Sequence, residues 1–426
     1  MKFALFTICL FVPAVTWAET KTLTLRQALE LALTQNPDIV LARLDQQKSR
    51  AQMALSQDPF RPKMSAGTGA AYTSGYPTSI DGNPPAIVQG RLGMALFNRP
   101  QSYLVAQSRE GVRSAAIETA RRQNEVVYQV ASFYYDAERA ARGLETVDRE
   151  SANLARVREL IDQRVAEGRD LPIESKKAVL AVLRAKQRVE ALSIDLANAE
   201  NSLTLLLGLA PGDRASVRTE QREPLMIPES EDTSVETAIA GSQEVKLLES
   251  SMQGKLLEIK SYQAARLPKI NFLTQYAMLA KRNYADYFTR FQRNNEEVGA
   301  SIEIPLIVGR GVSAQMETAE IEVAKLKVEM ARTRSRIAGD VRRAYQDLKR
   351  AESARQLARA DLDVAREELN VFLAQMDEGR LPVARVEAAR AAENEKWLAY
   401  YDSEHAAEIA KLSVLRQLGT LEAALR

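Results

Sequence analysis

The sequence is poor in the residues that most often carry chemistry. Its 426 residues include one cysteine, Cys9, and one histidine, His405. Those counts exclude a disulfide framework, a soft-ligand metal cluster and a Cys–His dyad. Charge of one sign is missing too: 58 basic side chains stand against 56 acidic ones, a net charge of +2. No field strong enough to hold nucleic acid or an anionic membrane surface follows from that balance. Aromatic residues make up 6% of the chain and charged ones 27%, lean for a globule but suited to long helices laced by charge pairs. Past the first residues, no stretch approaches the ~20 apolar residues of a membrane helix.

Met1–Ala18 reads as a cleavable export signal. Lys2 supplies its charge, Phe3–Val15 an apolar core too short to span a bilayer, and Thr16, Trp17 and Ala18 a small residue at the cut. Cys9 lies inside that core rather than directly after a cleavage site, which argues against lipidation. Cleavage leaves a mature chain without cysteine, compatible with an oxidising compartment.

What the chain does contain is one unit written twice. Val130, Tyr134, Asp136, Arg139 and Ala140 match Val341, Tyr345, Asp347, Arg350 and Ala351 at an offset of 211. Glu167, Gly168 and Arg169 match Glu378, Gly379 and Arg380 at that offset, and Gly208 matches Gly419. Earlier in each copy, Pro62, Lys63 and Gly93 match Pro268, Lys269 and Gly299 at an offset of 206. This period is far longer than that of solenoid repeats. The reading divides the chain into a signal (1–18), a first repeat (19–220) and a second repeat (221–426).

Within each copy the hydrophobic period is helical and long. Val126, Val130, Phe133, Ala137, Ala140, Leu144, Val147, Ser151, Leu154, Arg158, Ile161 and Val165 step by alternating fours and threes. Ile337, Val341, Ala344, Leu348, Ala351, Arg355, Ala358, Leu362, Ala365, Leu369, Phe372 and Met376 repeat the stripe. Such seams with small Ala knobs bring helices close together. They predict helices over about 101–166 and 310–378, each near ~100 Å at 1.5 Å per residue. Val182, Ala185, Val189, Leu192, Leu196, Ala199, Leu203 and Leu206 form a returning seam, so each copy carries an antiparallel helical hairpin.

Before each long helix the period switches to two. Ile270, Phe272, Thr274, Tyr276 and Met278 alternate with Asn271, Leu273, Gln275 and Ala277, and Val298, Ala300, Ile302 and Ile304 with Gly299, Ser301 and Glu303. The first copy is weaker: Met64–Thr73 is rich in small residues, and Leu92, Met94 and Leu96 alternate with Gly93 and Ala95. About ten residues suit a tilted transmembrane strand. The polar stretches 76–90 and 281–297 read as loops, and Tyr72, Tyr76, Tyr276, Tyr284, Tyr287 and Phe288 cluster near strand ends, where interfacial aromatics belong. Four strands cannot close a barrel, and an open edge cannot sit in lipid. If these strands cross a membrane the chain must oligomerise. Three chains give twelve strands, and other closed numbers satisfy the same physics.

At this point the sequence resembles the outer-membrane efflux proteins, the TolC family, over essentially the whole mature chain. The resemblance rests on Leu23, Thr24, Leu25, Arg26, Gln27, Ala28 and Leu29 with Asn36 and Pro37, on the strand pairs, on the two glycine-containing hairpin tips, and on Leu418, Gly419, Thr420 and Leu421. It implies a mainly α chain with a small β part: a homotrimer with a twelve-stranded barrel in outer-membrane lipid and a periplasmic α-helical tunnel. It also implies export with a periplasmic adaptor (membrane fusion) protein and an inner-membrane pump or ABC transporter, in drug or metal efflux or type I secretion. Adaptor contact would fall on the tips, Gly168, Arg169, Leu171 and Pro172 with Gly379, Arg380, Leu381 and Pro382, of which both leucines are expected to be exposed. The gate would use Glu174 and Arg380, and Glu387 would stand in an acidic ring thinned by Ala384. One departure is Asn98, Arg99 and Pro100 where the family often has a Gly-Gly pair, which leaves the strand-to-helix junction of the first copy to be settled.

Other classes fit less well. Acids such as Glu174 and Glu387 sit in helical charge patterns that suit a solvated face, and His405 falls on the last long helix without a ligand partner in sequence. No cofactor, nucleic-acid or enzyme reading emerges. The rival is an exported periplasmic adaptor or other coiled-coil protein, which would contain one hairpin rather than two.

Overall fold

The computed structural model describes residues 20–68, 86–210, 212–219, 222–279, 292–307, 309–378, 380–381 and 383–425. The expected signal 1–18, the tip residues Gly379 and Pro382, and the aromatics Tyr72, Tyr76, Tyr284, Tyr287 and Phe288 lie outside the described residues. In chain order the elements are β1 (Thr20–Leu23), α1 (Leu25–Gln35), α2 (Pro37–Gln57), β2 (Lys63–Gly67), β3 (Ala86–Asn98), α3 (Arg99–Ala166), α4 (Pro172–Leu206) and β4 (Arg214–Val217). There follow α5 (Glu231–Gly241), α6 (Gln243–Gln263), β5 (Lys269–Leu279), β6 (Asn294–Glu303), α7 (Arg310–Asp377), α8 (Val383–Leu418) and α9 (Leu421–Leu425). The fold is mainly α with a small β part, as the periodicities require. The two long helices, α3 and α7, have 68 residues each.

The chain divides into two compact units. One holds residues 20–40, Arg122–Ser242 and 337–425. Its core joins Leu25, Leu29 and Ala32 of α1, Val126, Val130 and Tyr134 of α3, Leu203 of α4, and Leu412, Leu415 and Leu421 of α8 and α9. The α3 stripe is buried where the seam predicts, at Val126, Val130, Ala137, Ala140 and Val147. Along α7 the same holds at Ile337, Val341, Ala344, Leu348, Leu362 and Leu369. Charges tie the seams: Arg142 to Glu404 at 3.0 Å and Arg139 to Asp402 at 2.9 Å join α3 to α8, and Lys396 to Asp361 at 2.7 Å joins α8 to α7.

A second face of α3 is also covered. Ala131, Tyr134 and Glu138 are buried alongside the seam residues. The segment after β4 crosses that face. The Tyr134 hydroxyl donates to the Arg218 carbonyl at 2.7 Å, and the Arg222 guanidinium pairs with Glu138 and lies 4.6 Å from the Tyr135 ring centre. At the far end of the segment, the Tyr345 hydroxyl donates to the Pro228 carbonyl at 2.8 Å. Tyr134 and Tyr345 are repeat mates, so each long helix holds this segment by the same residue.

The repeat is also written in the helix ends. After α3, the Arg169 amide donates to the Arg164 carbonyl at 2.8 Å, and after α7 the Arg380 amide donates to the Gln375 carbonyl at 2.9 Å. After α4 and α8, Leu209 donates to Thr204 and Thr420 to Leu415. All four are the six-to-one bond of a Schellman ending, which needs a left-handed residue in between. Gly168 (φ 71°) and Gly208 (φ 64°) occupy that conformation.

Gly208 has a further reason to be glycine. A Cβ there would lie 2.6 Å from the Gln35 carbonyl oxygen. That approach belongs to the α1–α2 junction, where the Asn36 side chain caps α2 through the Asp38 amide at 2.9 Å and donates to the Leu206 carbonyl at 2.7 Å. Thr24 and Gln27 form a reciprocal capping box on α1. The second unit holds Leu41–Arg121 and Gln243–Arg336 and carries the sheet described below.

These endings make a prediction. Gly168→Ala, in open space, should cost only the left-handed penalty of about 1–2 kcal/mol. Gly208→Ala adds a backbone clash and should cost clearly more. Thermal denaturation of both variants in detergent checks the order; a Gly208→Ala variant no less stable than Gly168→Ala would refute the account.

Candidate functional site

The sheet of the second unit is antiparallel in the order β2-β3-β5-β6. The register aligns Met64 with Leu92, Leu92 with Thr274 and Thr274 with Val298 in one row. Neighbouring rows on that face hold Met94, Phe272 and Ala300, then Phe97, Ile270 and Ile302. Alternate rows face the other way. They hold Lys63, Gly93, Leu273 and Gly299, then Ser65, Arg91, Gln275 and Glu297, then Gly67, Gln89, Ala277 and Asn295. One face is apolar until Glu296 and Asn294 near the start of β6, and the other is mostly polar. β2 and β6 each have a single partner strand among the described residues, so the sheet has two open edges.

The structure revises three expectations about these strands. The stretches read as loops over 76–90 and 281–297 give way to strand earlier, since β3 begins at Ala86 and β6 at Asn294. Leu96 is not the next apolar-face residue after Met94: a register shift between Ala95 and Phe97 makes it the extra residue of a bulge, and Phe97 stands opposite Ile270. The junction after β3 needs no Gly-Gly pair. The Asn98 side chain accepts from the Gln101 amide at 3.1 Å as a helix cap, so β3 runs directly into α3, and the Gln101 side chain donates to the Ser56 carbonyl at 2.6 Å.

In the first unit lie the tip residues. Leu171 is 68% exposed and starts α4 with Pro172 in the first turn. Ile173 beside it is 50% exposed, an apolar tip residue that the match between the two tips did not single out. Leu381, by contrast, is only half-exposed, so the expected symmetry of two exposed leucines does not hold. Arg169 pairs with Glu167 at 3.3 Å and Arg380 with Glu378 at 3.0 Å. Glu174 pairs with Lys177 at 2.8 Å, so within one chain the two expected gate residues hold local partners rather than each other. Glu387 is held by Arg390 at 3.2 Å and lines a small cavity with Glu150, Asn153, Leu154 and Asn394.

Two polar features escaped the periodicity. A cleft of about 450 Å³ is lined by Tyr135, Glu138, Arg142, Arg222, Glu404 and His405 among others. Three of its acids are held by bases: Glu138 by Arg142 and Arg222, Glu404 by Arg142, and Glu408 by Lys411. His405 lies 2.7 Å from Asp136 of α3, which places it on a packed face. Burial pushes the Tyr135 phenol up to about 12, against the opposing effect of Arg222. Glu150 is the second feature, a buried acid on α3 whose Oε2 has no hydrogen-bond partner. Burial raises its pKa, Arg188 opposes the shift and Glu395 adds to it. Only a three-dimensional structure shows that a glutamate in a charge-rich helix faces inward.

Comparison with known proteins gives a consistent picture. The family model described as outer membrane efflux protein matches residues 28–209 and again 235–420. No curated protein sequence matches the chain. Among solved structures, the chain is similar to the outer membrane channel CmeC of Campylobacter jejuni, at 13% identity and TM-score 0.76, over 99% of this chain and 93% of that one. It is also similar to a membrane protein of Pseudomonas aeruginosa, at 18% identity and TM-score 0.75, over 92% and 90% of the two chains. The outer membrane protein VceC of Vibrio cholerae aligns at 14% identity and TM-score 0.71, over 93% and 96%.

Glu150 yields a pH prediction. Its folded-state pKa lies above the ordinary carboxylate value of 4.5, so the folded state binds the proton more tightly than the unfolded chain. Ionised Glu150 therefore weakens the fold as pH rises from about 4.5 through the raised value. Glu150→Gln should raise the denaturation midpoint at pH 7.5, with the gain shrinking as pH falls towards 4. A pH-independent difference between variant and parent would refute this.

Proposed function

Since the chain belongs to the outer membrane efflux protein family, we propose that three copies assemble into an export channel whose strands cross the outer membrane. The observation that carries this reading is the four-stranded sheet with one face apolar over most of its length, one mostly polar face and, among the described residues, two open edges. Hydrocarbon offers no partner for an edge N–H or C=O, so edges must be paired by further copies. Twelve strands are the proposed closure, with apolar rows towards lipid and polar rows towards a water-filled interior. The two-copy organisation over 19–220 and 221–426 fits this role, and the double match of the family model supports it. Transport rather than catalysis is the work of such a chain.

The surface of α7 supports self-association. Leu357, Val364 and Val371 are 66%, 67% and 45% exposed, one heptad apart. A helix that has already buried one seam has no other reason to carry a second apolar stripe in water.

The partners in this proposal are a periplasmic adaptor and an inner-membrane pump or ABC transporter, meeting the tips at Gly168, Arg169, Leu171, Pro172, Gly379, Arg380, Leu381 and Pro382. Leu171 and Ile173 supply the apolar contact. For the gate, Glu174 and Arg380 are proposed to exchange local partners for each other in the closed state. Exposed pairs are worth about 0–1 kcal/mol each, so the exchange costs little and its balance is easily tipped by a docked adaptor. Glu387 adds little field to the ring, because Arg390 neutralises it.

Crosslinking in detergent should trap three protomers, and a soluble monomer would overturn the channel reading. Leu171→Asp with Leu381→Asp should abolish efflux while the trimer persists; normal transport would remove the tips from adaptor docking. Arg380→Ser should raise single-channel conductance in a planar bilayer, and unchanged conductance in intact trimers would remove Arg380 from the gate.

A further inference from the structure

The polar face of the sheet carries very few charges, and their placement is informative. At the end nearest the helices, Lys63 pairs with Asp58, and Lys269 lies opposite Glu303 with 4.0 Å between the charged atoms. Further along the described strands the polar face holds two more charges, Arg91 and Glu297. Both fall in one row, Ser65–Arg91–Gln275–Glu297, and both are exposed.

The residue between them keeps them apart. Arg91 Nε donates to Gln275 Oε1 at 3.2 Å. A guanidinium has donors only, so the Gln275 carbonyl must face Arg91, which leaves its amide N–H groups for a neighbouring acceptor. Opposite Gln275 on the next strand stands Glu297. Arg91 and Glu297 stand two strand steps apart, about 10 Å, with the Gln275 side chain between them. Gln275 thus holds the cation on β3, while Glu297 on β6 has no basic partner among the described residues.

We propose that this row is a charge filter of the barrel interior, acting on permeating ions and zwitterionic solutes. It rests on the channel reading, because it needs the polar face to line water. In a closed cylinder the row repeats around the wall as alternating positive and negative poles. Low-dielectric walls focus such charges onto passing solutes, and rings of charged side chains set ion preference in channels. Glu297 draws cations, Arg91 opposes them, and Gln275 is the positioning residue that prevents their mutual neutralisation.

The test uses the full-length chain in planar bilayers, with the reversal potential read in a potassium chloride gradient. Glu297→Gln should lower the cation-to-anion permeability ratio and Arg91→Gln should raise it, each by about two-fold or more. Gln275→Leu should move the ratio less than either, through partial pairing of Arg91 with Glu297. Cysteine chemistry guards against misfolding, since Cys9 is the chain's sole cysteine and lies in the expected signal. At Glu297→Cys, a negatively charged thiol reagent should restore the parental ratio and a positively charged one should lower it further, while Val298→Cys on the apolar face should not respond. Parental pores with ratios unchanged in both Glu297→Gln and Arg91→Gln, or insensitive to reagent at Glu297→Cys, would overturn the filter. Absence of pores in the parental protein would overturn the channel reading itself.

Discussion

An open sheet edge is the constraint on which the rest depends. Among the described residues, β2 and β6 each leave a row of backbone donors and acceptors without a strand partner. In water such an edge is a hazard, and in hydrocarbon it is untenable. The sheet also separates apolar rows such as Met94–Phe272–Ala300 from polar rows such as Arg91–Gln275–Glu297. Two-faced strands suit a wall between lipid and water, and a wall of four strands has to be continued by something. More copies of the same chain are the economical continuation, because each brings one β2 edge and one β6 edge.

Duplication gave the chain two similar hairpins, yet they are not used alike. Both end in the same Schellman geometry, and both lend a tyrosine hydroxyl to the segment that joins the repeats. Beyond that they diverge. On α3 the face bearing Ala131, Tyr134 and Glu138 is covered by the chain's own residues. On α7, nearer its C-terminal end, Leu357, Val364 and Val371 stand in water. A protein that must cover one helix face from within and leave another for a neighbour acquires sidedness, which a perfect repeat would lack.

Much of this was legible in the sequence, for a definite reason. Helical and strand periods are local, so the α3 and α7 seams and the β5 alternation appear directly in the residues. The repeat made the weaker first copy readable by analogy with the second. Features that depend on contacts between distant segments were not legible. Leu96 alternates correctly with its neighbours, and only pairing with β5 shows that it occupies a bulge. Leu171 and Leu381 match as text but differ in exposure. Glu150 looks like any acid in a charged helix until Arg188 and Glu395 are seen around it. Asn98 illustrates the opposite case: its cap replaces the expected glycines by a different local device, one that sequence chemistry allows but does not single out.

The near-zero net charge is best understood through where charges are cancelled. Along the helices, acids and bases meet across seams, as in Arg142–Glu404 and Lys396–Asp361, or at hairpin ends, as in Arg380–Glu378. Pairs of that kind hold register at low cost and create little field at a distance. The row through Arg91 and Glu297 is built differently, because an amide stands between the two charges and the backbone fixes them on separate strands. Charges that cannot collapse onto each other keep their influence on whatever passes. A chain with almost no excess charge thereby acts on solutes through the arrangement of a few residues rather than through its total.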